Sequence, residues 1–335
     1  MASNSNWLGK LGCLLPIVLL GIFLVPKALN TWSAKIRYDE GLTAYNAGNC
    51  PDAIAALEKL TPEDLGEDER AKLTAVKAEC DALIAAQKLQ VAGKPQQAWK
   101  QYVEFINRYD TGTMATVRQQ VRQLQQKSSL KALATPEACS AIDRFKQVQL
   151  FTETEIPNFY ADCADNYTKA GNFDQAGILY EQFIDRYPKH PTIETVKAKW
   201  IQAMVAEAKA KNGGVIPQPV QSGRTGGRDG AILIRNDSPE KMRIVFSGAT
   251  PRVEELAGCK DCEVYSETPP KSCPNKGPTG RYVVAPGQYD VVVKSIGGGM
   301  VRPFTGNWSI DGGVEYQNCF YIVRSRSPLP PLPPQ

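Results

Sequence analysis

A chain of 335 residues with 42% hydrophobic residues can bury one or two ordinary cores, and two domains are the natural expectation. The formal charge of +4 is thinly spread: residues 31–211 carry 23 basic and 24 acidic side chains and residues 230–335 carry 12 and 10, so neither part has the excess that a nucleic-acid partner demands. A single histidine, His190, and the lack of GxSxG, HExxH, P-loop or dinucleotide fingerprints remove the usual actors of hydrolase, metalloprotease and nucleotide chemistry.

The N-terminal segment, residues 1–34, contains an uncharged run, LGCLLPIVLLGIFLVP, over Leu11–Pro26 and between Lys10 and Lys27. A helix over about residues 8–29 (Leu8–Leu29) would span a bilayer core of about 30 Å, with the two lysines snorkelling and Trp7 and Trp32 at the interfaces. A cleaved signal peptide is the competing reading, but no small-x-small site follows the run, so an uncleaved signal anchor is expected. Lys27, Lys35 and Arg37 after the segment against Lys10 before it favour holding the rest in the cytoplasm. The cysteines point the other way. Setting Cys13 aside from the nine leaves an even number, and disulfides persist in oxidising compartments. The expectation is therefore a single-pass cell-membrane protein with the bulk of the chain extracytoplasmic.

Residues 35–211 are rich in Ala, Gln, Lys, Glu and Leu at helical spacing. The piece GKPQQAWKQYVEFINRY at Gly93–Tyr109 returns as GNFDQAGILYEQFIDRY at Gly171–Tyr187, 78 residues on, and GNCPDAIAAL begins a further copy at Gly48. In each copy a glycine ends one helix in the left-handed conformation, Asn49, Lys94 or Asn172 turns the chain, and a second helix presents Ala53, Ala98 or Ala176 at a close helix–helix approach. The 78-residue gap has room for another helical hairpin, with Thr135-Pro136-Glu137 as a helix start.

The pattern Ala164-x2-Tyr167-x3-Gly171-x-Phe173-x2-Ala176-x3-Tyr180-x7-Pro188 resembles a tetratricopeptide repeat. The other copies match less well: Cys50 and Pro95 stand where an aromatic is usual, and spacings of 45 and 78 depart from the family's period of about 34 residues. The resemblance covers about half the chain and implies an all-α solenoid that binds proteins or peptides on its inner face. It implies Tyr45, Asn46, Gln87, Gln90, Asp165 and Lys169 as binding positions, with solvated helix positions as the plain alternative. Cys50 with Cys80, and Cys139 with Cys163, are candidate disulfides that would staple neighbouring helices. His190 lies in a loop and is expected to face solvent.

Residues 212–230, NGGVIPQPVQSGRTGGRDG, have the composition of a flexible linker. From 231 to 325 short β-branched runs occur at Ala231–Arg235, Met242–Ser247, Arg281–Ala285, Tyr289–Lys294, Asn307–Ile310 and Glu315–Val323, separated by turn signals. A small antiparallel sandwich is expected. The phrase APGQYDVVV at Ala285–Val293 is similar to the hairpins of bacterial surface β-modules.

Cys259, Cys262, Cys273 and Cys319 admit three chemistries: static disulfides, a four-thiolate structural zinc, or a thiol–disulfide exchanger at Cys259-x2-Cys262. The exchanger lacks its usual strand-then-helix setting, and disulfides are preferred. Residues 326–335 form a proline-rich tail.

The fold class expected is thus multidomain: a transmembrane helix, an all-α tetratricopeptide-like solenoid and a small all-β sandwich. The expected role is a membrane-anchored scaffold or adaptor for protein or peptide partners, not an enzyme, with no cofactor and no metal. The alternatives are a thiol–disulfide oxidoreductase using Cys259 and Cys262, or a zinc-holding adaptor facing the cytoplasm.

Overall fold

The computed structural model describes residues 32–61, 63, 65–110, 112–266, 268–296 and 301–324. The segment expected to cross the membrane, Leu8–Leu29, and the proline-rich tail lie outside these residues. Among the described residues no helix is long and apolar enough to cross a membrane. This corrects both the fold class with a transmembrane helix and the single-pass, extracytoplasmic placement. The two longest helices, Glu67–Val91 and Ile193–Ala210, carry charges along their length, among them Asp68, Arg70, Lys72 and Lys77 in the first and Lys197, Lys199, Glu207 and Lys209 in the second. What stands is a helical part followed by a β part.

The chain divides into a unit ending at Phe159 and another beginning at Tyr160, with the division inside one helix, Glu155–Lys169. The first unit comprises α1 (32–46), α2 (Cys50–Leu57), α3 (Glu67–Val91), α4 (Pro95–Arg108), α5 (Met114–Lys127) and the short α6 (Leu130–Leu133), α7 (Pro136–Ser140) and α8 (Ile142–Gln147). The start of α9 (Glu155–Lys169) follows them. Local chemistry places the ends. Asn49, Ser129 and Thr135 each accept a hydrogen bond from a first-turn N–H of α2, α6 and α7, and proline fills the first turns of α2, α4 and α7. Thr135-Pro136-Glu137 does start a helix within the gap between the two closest copies.

Gly48, Gly93 and Gly171 have φ of 75°, 72° and 75°. At each, the glycine N–H and the next N–H turn back onto the ending helix: Gly48 to Tyr45 and Asn49 to Ala44, Gly93 to Gln90 and Lys94 to Leu89, Gly171 to Thr168 and Asn172 to Tyr167. This is a paired-bond helix stop that satisfies two orphan carbonyls. The alanines beyond these stops, Ala53, Ala98 and Ala176, are fully buried.

Four bonds between helices of the first unit share one separation, among others that span 30 to 38 residues. Tyr45 to Glu79, Thr113 to Glu79, Trp99 to Leu133 and Arg144 to Asp110 all span 34 residues. Within the core of this unit lies an aromatic cluster of Trp99, Phe145, Phe151 and Phe159, with contacting ring centroids 4.9–6.3 Å apart. Cys50 and Cys80 join α2 to α3 in a disulfide.

The second unit continues through α10 (Phe173–Arg186) and α11 (Ile193–Ala210) into strands β1 (Val220–Arg224), β2 (Gly230–Asn236), β3 (Met242–Gly248), β4 (Arg252–Leu256), β5 (Tyr265–Ser266), β6 (Thr279–Val284), β7 (Gly287–Ser295), β8 (Phe304–Ile310), β9 (Val314–Phe320) and β10 (Val323–Arg324). Two four-stranded sheets have the orders β1-β9-β2-β6 and β4-β3-β7-β8, and β10 pairs with β5. The sandwich is not wholly antiparallel, because β2 runs parallel to β9 and β10 to β5. Ile232, Ile234, Tyr282 and Tyr316 from the first sheet meet Ile244, Phe246, Tyr289, Val291 and Trp308 from the second in one core.

The opposite face of the second sheet is also covered. Val245 and Val292, paired across β3 and β7, pack against Ile201, Met204, Val205 and Ala208 of α11. Burial on both faces explains why these strands carry unbroken apolar runs, Ile244-Val245-Phe246 and Val291-Val292-Val293. The last helix is therefore a layer of the β unit.

Residues 212–230, expected as a flexible linker, are held to the sandwich edge. Ile216 N–H donates to Thr305 and Thr305 N–H to Gly214, Trp308 Nε1 donates to the Pro217 carbonyl at 2.9 Å, and β1 pairs with β9. The glycine composition reflects contact as much as freedom: a Cβ on Gly213 would lie 1.5 Å from the Pro303 carbonyl oxygen.

Candidate functional site

The six helical positions implied as a binding face sit in different environments. Tyr45 is buried, and its hydroxyl donates to the Glu79 carboxylate at 2.8 Å, while Thr113 donates to the other oxygen of the same group. Gln90 accepts from the Tyr102 hydroxyl at 2.9 Å and donates to the Gln120 carbonyl at 3.4 Å. Asp165 accepts from the Tyr180 hydroxyl at 2.5 Å and from Lys199 at 2.7 Å. These three act inside the helix array. Burial holds the Tyr102 and Tyr180 hydroxyls well above the ordinary tyrosine value, with the bond to Asp165 adding to the effect at Tyr180, so both remain donors. Asn46 and Lys169 are exposed and Gln87 is half-buried, so they remain open to a ligand.

A cleft of about 560 Å³ between α5 and α8 was not expected from the sequence. Asp110, Met114, Arg118, Arg144, Gln147 and Val148 line it. Arg144 is anchored by donating to the carbonyls of Ile106 at 3.1 Å and Tyr109 at 3.0 Å and by an ion pair with Asp110 at 3.3 Å. Arg118 donates through one Nη to the Val148 carbonyl at 3.0 Å. A guanidinium carries five N–H donors in a planar fork, so Arg118 retains capacity for a carboxylate or carbonyl entering the cleft. The signal that could have found this place is the 34-residue offset between Asp110 and Arg144, hidden because α6, α7 and α8 break one helix into short turns.

In the β unit the sulfurs are paired Cys259 with Cys262 and Cys273 with Cys319, while Cys139 and Cys163 of the helical stretch are also disulfide-bonded. The four β-unit sulfurs lie in two pairs, the arrangement that the disulfide reading of these cysteines expects. The Cys273–Cys319 bridge separates two recesses, both lined by it. One, of about 670 Å³, is polar, with Arg235, Asn275, Thr279 and Gln317; the other, of about 550 Å³, is lined by Val215, Pro269, Pro270, Phe304, Phe320 and Tyr321. His190 stacks edge-on against Phe183 at 5.2 Å and shares a 2.9 Å hydrogen bond with Thr192, which gives it a structural place.

Comparison with protein-family models finds no match to this chain, and comparison with curated proteins finds none either.

Proposed function

We propose that this chain is a binding protein whose helical hairpins form a tetratricopeptide-like array for an extended peptide segment of a protein partner. What supports it is the recurrent glycine stop at Gly48, Gly93 and Gly171, together with the four bonds Tyr45–Glu79, Thr113–Glu79, Trp99–Leu133 and Arg144–Asp110, each of which spans 34 residues. Helical hairpins stacked at that period expose one set of first-helix side chains along a continuous surface. In the first unit the α5–α8 cleft offers a further polar contact, where Arg118 can take a carboxylate of the peptide. The β unit supplies a second surface in the same chain, and two weak contacts made together bind far better than either alone.

Selection of a random peptide library displayed on phage against the purified chain tests the proposal. Enrichment of acidic peptides is expected, with at least fivefold weaker binding to an Arg118→Glu chain. Failure to enrich any peptide, or equal binding to both chains, would sink it.

A further inference from the structure

We infer that the apolar recess beside the Cys273–Cys319 bridge is the seat of this chain's own proline-rich segment, Pro328–Pro334. Its lining includes the rings of Phe304, Phe320 and Tyr321 and the prolines Pro217, Pro269 and Pro270, beside the polar Lys271, Ser272 and Asn318. Phe304 is 40% exposed, Val323 37% and Val215 83%, so three exposed large apolar side chains lie together in this one lining. Such a patch marks a contact site more often than a bare surface. Aromatic-lined grooves accept polyproline II segments, which make no internal hydrogen bonds and lose little entropy on docking.

The occupant follows from where the chain runs. Val323 lines the recess itself, and β10, to which it belongs, ends at Arg324. Residues 325–335, SRSPLPPLPPQ, therefore begin at the lip, and their five prolines lie within the seven residues 328–334. At about 3.1 Å per residue in a polyproline II conformation, those seven residues reach about 22 Å, enough to cross the recess. A short tether also sets a millimolar effective concentration, so a groove of modest affinity is filled from within the chain before a free peptide competes. The inference concerns the β unit alone and does not rest on the helical array binding a peptide.

A full-length chain whose tail prolines 328, 330, 331, 333 and 334 are all replaced by glycine leaves every described residue untouched. A fluorescein-labelled peptide of residues 325–335 is added to this variant and to the native chain, and anisotropy is followed. The variant should bind the peptide saturably and the native chain at least tenfold more weakly. Adding Phe304→Ala and Tyr321→Ser to the variant should cost at least fivefold in affinity. So should a peptide with Pro331 and Pro333 changed to glycine, which cannot be blamed on misfolding of the protein. No saturable binding to the variant, or equal binding to both chains, would overturn the inference. Dimerisation of the native chain, lost in the variant, would overturn it in favour of a second copy as the source of the segment.

Discussion

At Gly171 and Gly177, six residues apart, the same substitution has opposite consequences. Gly171 stops a helix at φ 75°, whereas Gly177 lies in the middle of α10, and a Cβ at either meets nothing within 4 Å. Only backbone conformation separates them. Gly171→Ala is expected to destabilise by about 1–2 kcal/mol, the cost of a left-handed L-residue. Gly177→Ala should stabilise by about 0.5–1 kcal/mol through helix propensity. Urea unfolding of the two variants checks both signs. Gly213 belongs to a third kind, where the obstacle is the Pro303 carbonyl and not φ.

The helices of the second unit are held to its sheets by a few side chains whose effects can be measured element by element. Arg243, on β3, donates to Glu181 of α10 at 2.6 Å and to Glu255 of β4 at 2.7 Å, with its guanidinium 5.2 Å from the Trp200 ring of α11. Replacing Arg243 with Met should cost about 2 kcal/mol, the scale of a charge-assisted hydrogen bond. Hydrogen bonds from Lys241 and then Arg243 hold the Glu255 carboxyl below its ordinary value. Because the folded value is the lower one, this contribution is present above the ordinary carboxylate range and is lost as pH falls through the depressed value. Acid titration of unfolding free energy should therefore be shallower in the Arg243→Met chain than in the native one. In the first unit, the Cys50–Cys80 bond closes a loop with a sequence separation of 30. Serine at both positions should lower stability by about 3–4 kcal/mol, measured by thermal unfolding without reductant.

Taken as a molecule, the chain's compact units do not follow the helical-to-β change of vocabulary. A fragment beginning at Gly230, where strand-like sequence starts, would lack Ile216 from the sandwich core and bare Val245 and Val292 to water. That fragment is expected to aggregate or bind a hydrophobic dye, while one beginning at Glu155 gives a cooperative melt; two equally cooperative melts would refute the layer assigned to α11. The glycine stops, the buried alanines and most strands could be read from residues because each depends on its own neighbourhood. Strand β1, VQSGR, could not, since its place depends on β9 rather than on any β-forming tendency of its own. The repeat resemblance assigned Tyr45, Gln90 and Asp165 to an inner face, and it carries no information on the hydrogen-bond partners that each finds within the array.

By itself the sequence determined the repeat of helix, glycine stop and alanine-bearing helix, the switch to β-strands near residue 230 and the existence of a cysteine framework, because short-range backbone and composition rules act within about twenty residues. Tertiary structure alone decided that α11 covers a sheet, that the glycine-rich stretch after it is bound to an edge, which β-unit cysteines pair, and where two arginines and three aromatic rings leave open recesses. Each of these is a contact between distant segments, selected by which apolar faces and hydrogen-bonding edges remain to be covered once the local elements have formed.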